Sequence, residues 1–172
     1  QARKIGLRWR NGTLRDNLLY SLTSEDRVRM NDEEIWEIMR LLRIDFGARL
    51  THGLDTRVGR NGMKLSGGEA QRVMIGAAAL KRPRFMIIDE ATSSLDAENQ
   101  AAVQAGIDQL LAAEEASAII IAHRLSTVLR CDTFVVLRPA DTLALGESQI
   151  ETIAHSVSEL FAHSAIFRSL AK

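Results

Sequence analysis

The sequence predicts an α/β fold: a parallel β-sheet with helices on its faces. Two wholly apolar runs, residues 85–88 and 118–121, and the helical patterns alternating with them carry this expectation. A run with no polar face suits a strand covered on both sides, as central strands of parallel sheets are. Strands that alternate with helices connect by crossovers rather than hairpins. A chain of 172 residues, 46% hydrophobic, is long enough to bury a core of its own.

Two segments differ in character. The first, residues 1–64, reads as helical and charged. Asn31 is placed to cap a helix with Glu34 three positions on, and Ile35, Met39 and Leu42 then share one face. Gly47 and Gly53 fall in a looser stretch. The second, residues 65–172, alternates helix and strand. A helix over 69–80 stops ahead of Pro83, because the residue before a proline is pushed out of the helical region. A strand at 85–88 leads to a helix at 97–113 with Val103, Ile107, Leu110 and Leu111 inward. Strands at 118–121 and 133–137 follow. The tail, 149–170, reads as helix, anchored by Val157, Leu160 and Phe161.

Composition narrows the function classes. Basic and acidic side chains balance at 22 each, so nothing in the totals points to a polyanion partner. Cys131 is the single cysteine, which forbids an intramolecular disulfide and fits a reducing compartment. The most apolar run, 116–122, is far short of the roughly 20 residues a bilayer requires. The first residues, with Arg3, Lys4, Arg8 and Arg10, lack the apolar core of a signal peptide. A membrane role is therefore expected from another chain or another part of the polypeptide.

Three local features carry chemistry. The apolar run 85–88 ends in Asp89-Glu90, which puts two carboxylates at the carboxyl edge of a strand, where α/β sheets bind ligands. An aspartate there suits magnesium, which prefers hard oxygen donors, and a neighbouring glutamate can polarise a water. The plain alternative is an acidic turn. Leu65-Ser66-Gly67-Gly68-Glu69 precedes a helix; its glycines let backbone approach an anion, and Ser66 adds a hydroxyl donor. The plain alternative is a serine N-cap beside flexible glycines. His123 follows the second apolar strand directly, where an imidazole can contact a phosphate or orient a water. His52, His155 and His163 show no motif and read as surface or packing residues.

The order of these features is more informative than any one of them. Glu69 to Asp89 is 20 residues, and Glu90 to His123 is 33. With this set the chain resembles the nucleotide-binding domain of ABC transporters, from the Q-loop region to the C-terminus, over nearly all its length. Leu65-Ser66-Gly67-Gly68-Glu69-Ala70-Gln71-Arg72 matches the family's signature motif. Arg84-Phe85-Met86-Ile87-Ile88-Asp89-Glu90 matches Walker B with its adjoining glutamate. Ala91-Thr92-Ser93-Ser94-Leu95-Asp96 matches the D-loop, and His123 the switch histidine. Asn11-Gly12-Thr13-Leu14-Arg15-Asp16-Asn17 resembles the segment after the Q-loop of exporter-type domains. Arg124-Leu125-Ser126-Thr127-Val128 leans the same way.

The resemblance implies a P-loop NTPase-like parallel sheet with flanking helices plus a helical signature subdomain, incomplete at the N-terminus. It assigns residues 1–64 to the Q-loop-proximal and helical subdomain. Residues 65–172 become the signature helix, Walker B, D-loop, switch-histidine region and C-terminal helices. It implies ATP and Mg2+ as cofactors, and an ATPase that powers translocation from the cytoplasmic face of a membrane. The implied partners are a second nucleotide-binding domain, in a homo- or heterodimer, and a transmembrane transporter domain, with no nucleic acid. Two such domains pair head to tail around ATP. Ser66, Gly67 and Gly68 would then contact the ATP held by the partner domain, Asp89 would hold magnesium and Glu90 would activate water. His123 would sense the terminal phosphate, and Asp96 would signal across the dimer interface.

The chain departs from the family pattern in one respect above all. No Gly-x-x-x-x-Gly-Lys-Ser/Thr occurs; the nearest look-alike, from Gly59 through Gly62 and Lys64 to Ser66, has the wrong spacing. The expectation is a chain that begins mid-domain, with unpaired sheet edges and apolar surface that favour poor stability or a domain-swapped dimer. The Q-loop glutamine is unassigned: family spacing counted back from Gly12 reaches Ile5, and the nearby glutamine is Gln1. Two alternatives remain. One is a non-catalytic fragment or signature-loop donor. The other is a DNA-repair or chromosome-maintenance ATPase, for which the long heptad repeats are missing.

Overall fold

The computed structural model describes residues 11–59, 62–89, 97–121, 125–139, 142–144 and 146–170. The chain divides into two units, residues 1–119 and 120–172. In the first, β1 (Gly12–Thr13) pairs antiparallel with β2 (Arg57–Val58). The chain turns at Thr13 into α1 (Leu14–Leu19) through a capping box. Thr13 Oγ1 accepts the Asp16 amide at 3.0 Å, and Asp16 Oδ2 accepts the Thr13 amide at 2.8 Å.

Helices α2 (Ser24–Arg29) and α3 (Asp32–Leu41) follow. Asn31 caps α3 as the sequence predicts, its Oδ1 accepting the Glu34 amide at 2.9 Å. The Glu34 carboxylate turns elsewhere and accepts from Arg82 at 3.1 Å. Ile35, Met39 and Leu42 are buried on one face, as their spacing requires. Two short 3-10 turns, Gly47–Arg49 and Gly53–Asp55, lead back to β2. Arg15 joins these parts: its Nε donates to Asp55 at 2.9 Å, and both its terminal nitrogens donate to the Asp32 carboxylate.

Helix α4 (Gly67–Ala79) packs on α1 and α3, and α5 (Ala97–Ala113) packs on α3. Both contacts pass through a glycine. A Cβ on Gly76 would sit 3.2 Å from Leu18 Cδ2 and from Ile44 Cδ1. One on Gly106 would lie 2.2 Å from the Leu41 carbonyl oxygen, so α5 meets the end of α3 backbone to backbone. Val73, Val103 and Ile107 complete the buried layer. Each such side chain contributes roughly 1.5–3 kcal/mol of burial. Leu110 and Leu111, also expected inward, are half-buried.

Strand β3 (Phe85–Asp89) lies beside β4 (Ser117–Ile121) as a parallel pair. The Ser117 amide donates to the Arg84 carbonyl at 3.0 Å, and α5 is the crossover between them. The expected α/β pattern is present, but full coverage of the strand is not. Ile88 is buried, whereas Phe85 and Ile87 are 54% and 56% exposed. Alternate residues of a strand face opposite ways. Met86, on the Ile88 face, lines a cavity with Ile38, Leu41 and Leu110, whereas the other face stays more than half exposed.

The second unit corrects the reading of the tail. It contains α6 (Leu125–Val128), β5 (Phe134–Leu137), β6 (Ile150–Ala154), α7 (Val157–His163) and α8 (Ala165–Leu170). Residues 150–154, expected in a helix, form a strand antiparallel to β5, with Phe134 opposite Ala154 and Val135 opposite Ile153. A core of Phe134, Ala154, Leu160 and Phe167 forms between this pair and the helices. Of the expected anchors, Leu160 is fully buried and Val157 packs against the core. Phe161 is 41% exposed and meets Phe167 edge-on, ring centroids 5.0 Å apart. The α7–α8 junction is satisfied from β6. Ser164 Oγ donates to Glu151 at 2.6 Å, and the Ala165 amide donates to the same carboxylate at 3.1 Å.

Candidate functional site

The Leu65–Glu69 loop is built by helix capping. Ser66 is extended, at φ −65° and ψ 163°, and its Oγ accepts the Glu69 amide at 3.2 Å. Glu69 reciprocates, its Oε2 accepting the Ser66 amide at 2.8 Å. Capping engages the serine oxygen as acceptor and leaves its hydroxyl proton as a donor. Gly67 opens α4 where a Cβ would meet nothing within 4 Å. Packing does not require a glycine there, while close approach of an anion would use one. The 13-residue helix behind it directs its first amides and dipole to that side.

A second layer holds the loop from behind. Arg49 Nη1 donates to Glu69 Oε1 at 2.7 Å, and Arg49 Nη2 donates to the Lys64 carbonyl at 2.6 Å. The guanidinium carbon lies 5.6 Å from the ring centroid of Phe46, which is buried. Burial pushes the Glu69 carboxyl upward. Hydrogen bonds from Arg49 and the Ser66 amide, with the Arg49 charge, outweigh this and hold it below its ordinary value. Before the loop, Gly62 approaches the Arg57 carbonyl so closely that a Cβ would lie 2.3 Å from it. Met63 donates its amide to that same carbonyl at 2.8 Å.

Asp89 is the last residue of β3 and is exposed there. β4 ends at Ile121, and parallel strands finish on the same edge of their sheet. Glu90, the 91–96 segment with Asp96, His123 and Gln1 lie outside the described residues. His52 and His155 form hydrogen bonds to Thr51 and Thr133, at 3.0 and 3.2 Å. Among the described residues no cluster of three His, Cys, Asp or Glu could hold a metal. A magnesium held by Asp89 would have to keep several waters and take its other oxygens from phosphates, as that ion commonly does. Arg49 had no sequence signal: it sits 20 residues from Glu69, beyond any helical or strand period.

Residues 7–93 match the ABC transporter family, and the chain belongs to it. Its α/β architecture is the P-loop NTPase fold of that family's ATPase domain. The chain is 38% identical over 136 residues to ABC transporter B family member 18 of Arabidopsis thaliana, covering 78% of this chain and 11% of that protein. It is 36% identical over 163 residues to the ATP-dependent lipid A-core flippase of Salmonella typhimurium, covering 94% and 25%. An uncharacterized ABC transporter ATP-binding protein of Bacillus subtilis is 40% identical over 131 residues, covering 74% and 21%. The chain thus spans about a tenth to a quarter of these relatives. They are consistent with the exporter-like type.

Proposed function

We propose that this chain is the later part of an ATP-hydrolysing domain that drives export-type translocation, and that it completes a nucleotide site shared with a second such domain. The observation that carries the reading is the Ser66-Gly67-Gly68 turn at the start of α4, capped from within and open at Gly67. Ser66, Gly67 and Gly68 offer a hydroxyl and backbone amides to the phosphates of ATP held by the partner domain. The helix terminus adds ~0.3–2 kcal/mol of attraction for such an anion. Asp89 holds magnesium, which when bound neutralises phosphate charge. Glu90 takes a proton from the attacking water, His123 contacts the terminal phosphate, and Asp96 lies at the dimer interface.

In this reading residues 1–64 form the helical, Q-loop-proximal part and residues 65–172 carry the nucleotide chemistry. The domain works against a transmembrane transporter domain at the cytoplasmic face of the membrane, without nucleic acid. By themselves the 172 residues contain no P-loop motif, so the isolated chain acts as a signature-loop donor without turnover. In the complete polypeptide, Glu90→Gln should abolish steady-state ATP hydrolysis while ATP binding persists. Hydrolysis retained in that variant would remove Glu90 from its role.

A further inference from the structure

We infer that Arg49 is a positioning residue for the signature loop, acting on the shared nucleotide site through Glu69 and Lys64 without touching ligand. This rests on the reading of Ser66, Gly67 and Gly68 given above. The geometry is a staple. One guanidinium grips the Lys64 carbonyl just before the loop, at 2.6 Å, and the Glu69 carboxylate just after it, at 2.7 Å to Oε1 and 3.4 Å to Oε2. The four residues between those grips, Leu65 to Gly68, include the three, Ser66, Gly67 and Gly68, that this reading assigns to the phosphates. The Glu69 oxygen that accepts from Ser66 belongs to the same carboxylate, so the arginine and the serine amide share one acceptor group.

A fully exposed ion pair would carry little meaning, since solvent and salt screen it. Here the Glu69 side chain is 15% exposed; Arg49 is 46% exposed, but its guanidinium carbon lies over the buried Phe46 ring, 5.6 Å from the centroid. The loop it spans contains two adjacent glycines, which have the most backbone freedom to lose on ordering. A loop held in place before ligand arrives avoids that ordering cost at binding. The staple therefore bears on nucleotide affinity more than on the chemical step. A lysine can replace the arginine only in part, because its ammonium keeps the charge and donors but lacks the rigid planar fork that fits both acceptors.

The test is steady-state ATPase kinetics and thermal unfolding of the complete polypeptide that contains these residues. Compared are wild type, Arg49→Ala, Arg49→Lys, Glu69→Gln, the Arg49→Ala/Glu69→Gln double variant, and Glu90→Gln. Arg49→Ala should raise KM for ATP by roughly tenfold with kcat nearly unchanged, the order expected from losing a hydrogen bond to a charged group that orders a binding element. Glu69→Gln, which keeps an acceptor for the Ser66 amide, should raise KM similarly, and the double variant should add little to either. Arg49→Lys should recover part of the loss. An unchanged KM in Arg49→Ala, with or without a lowered melting midpoint, overturns the proposal, as does full additivity in the double variant. Turnover retained by Glu90→Gln would instead strike at the underlying reading of the site.

Discussion

Glu69 serves two partners with one carboxylate, and this gives it a pH signature. Its folded-state pKa lies below its ordinary value near 4.5, because the bonds from Arg49 and Ser66 together outweigh the effect of burial. A depressed carboxylate contributes stability that is complete above the unfolded value and is lost as pH falls through the folded one. Denaturant unfolding of this chain, followed across pH, should therefore weaken below about pH 4.5 more steeply in wild type than in Glu69→Gln. Equal pH slopes would show that the carboxylate contributes nothing through its charge. The Ser66–Glu69 half of this site was legible in the sequence, because a capping box is a local pattern of fixed spacing. The Arg49 half was not, because its contact comes from a turn 20 residues away that no periodicity links to α4.

At the scale of elements, α5 shows how tertiary contact reverses a propensity. Glycine inside a helix ordinarily costs about 1 kcal/mol relative to alanine. At Gly106 an alanine methyl would fall 2.2 Å from the Leu41 carbonyl, which cannot move aside as a flexible side chain would. Gly106→Ala should destabilise the chain by roughly 1–3 kcal/mol, the usual range for overpacking. The readout is a fall in the urea midpoint, and a rise would contradict the close approach of α3 and α5. Longer patterned elements could be read from sequence alone: the spacing of Val103 and Ile107 gave α5, and both are buried. Residues 150–154 could not. A five-residue apolar and polar mixture ahead of a true helix fits either state, and only pairing with β5 decides. Exposure of Phe85 and Ile87 was equally hidden, since an apolar run reports suitability for burial and not the presence of a cover.

On the whole molecule, that exposure has a measurable consequence. Phe85, Ile87 and Ile119 are each more than half exposed on the β3–β4 pair, and Val135, Leu137 and Ile153 are likewise exposed on β5–β6. Apolar surface of this kind recruits hydrophobic dyes and promotes association. The 172-residue chain by itself should enhance ANS fluorescence, and Ile87→Lys should reduce that signal without lowering the unfolding midpoint by more than a degree or two. A dye-silent wild-type chain would mean these strands are covered in solution. The β5–β6 pair carries a different implication, about time. Its partners Val135 and Ile153 are 18 residues apart, and the whole core of its unit lies between Leu125 and Phe167. The first unit must bring Arg15 to Asp55, 40 residues away, and Ser21 to Ala77, 56 away. Local contacts close faster than distant ones, because less chain entropy is surrendered before the contact forms. The segment after Ile119 should therefore gather first, with the signature loop set in place only once the longer-range contacts of the first unit have closed.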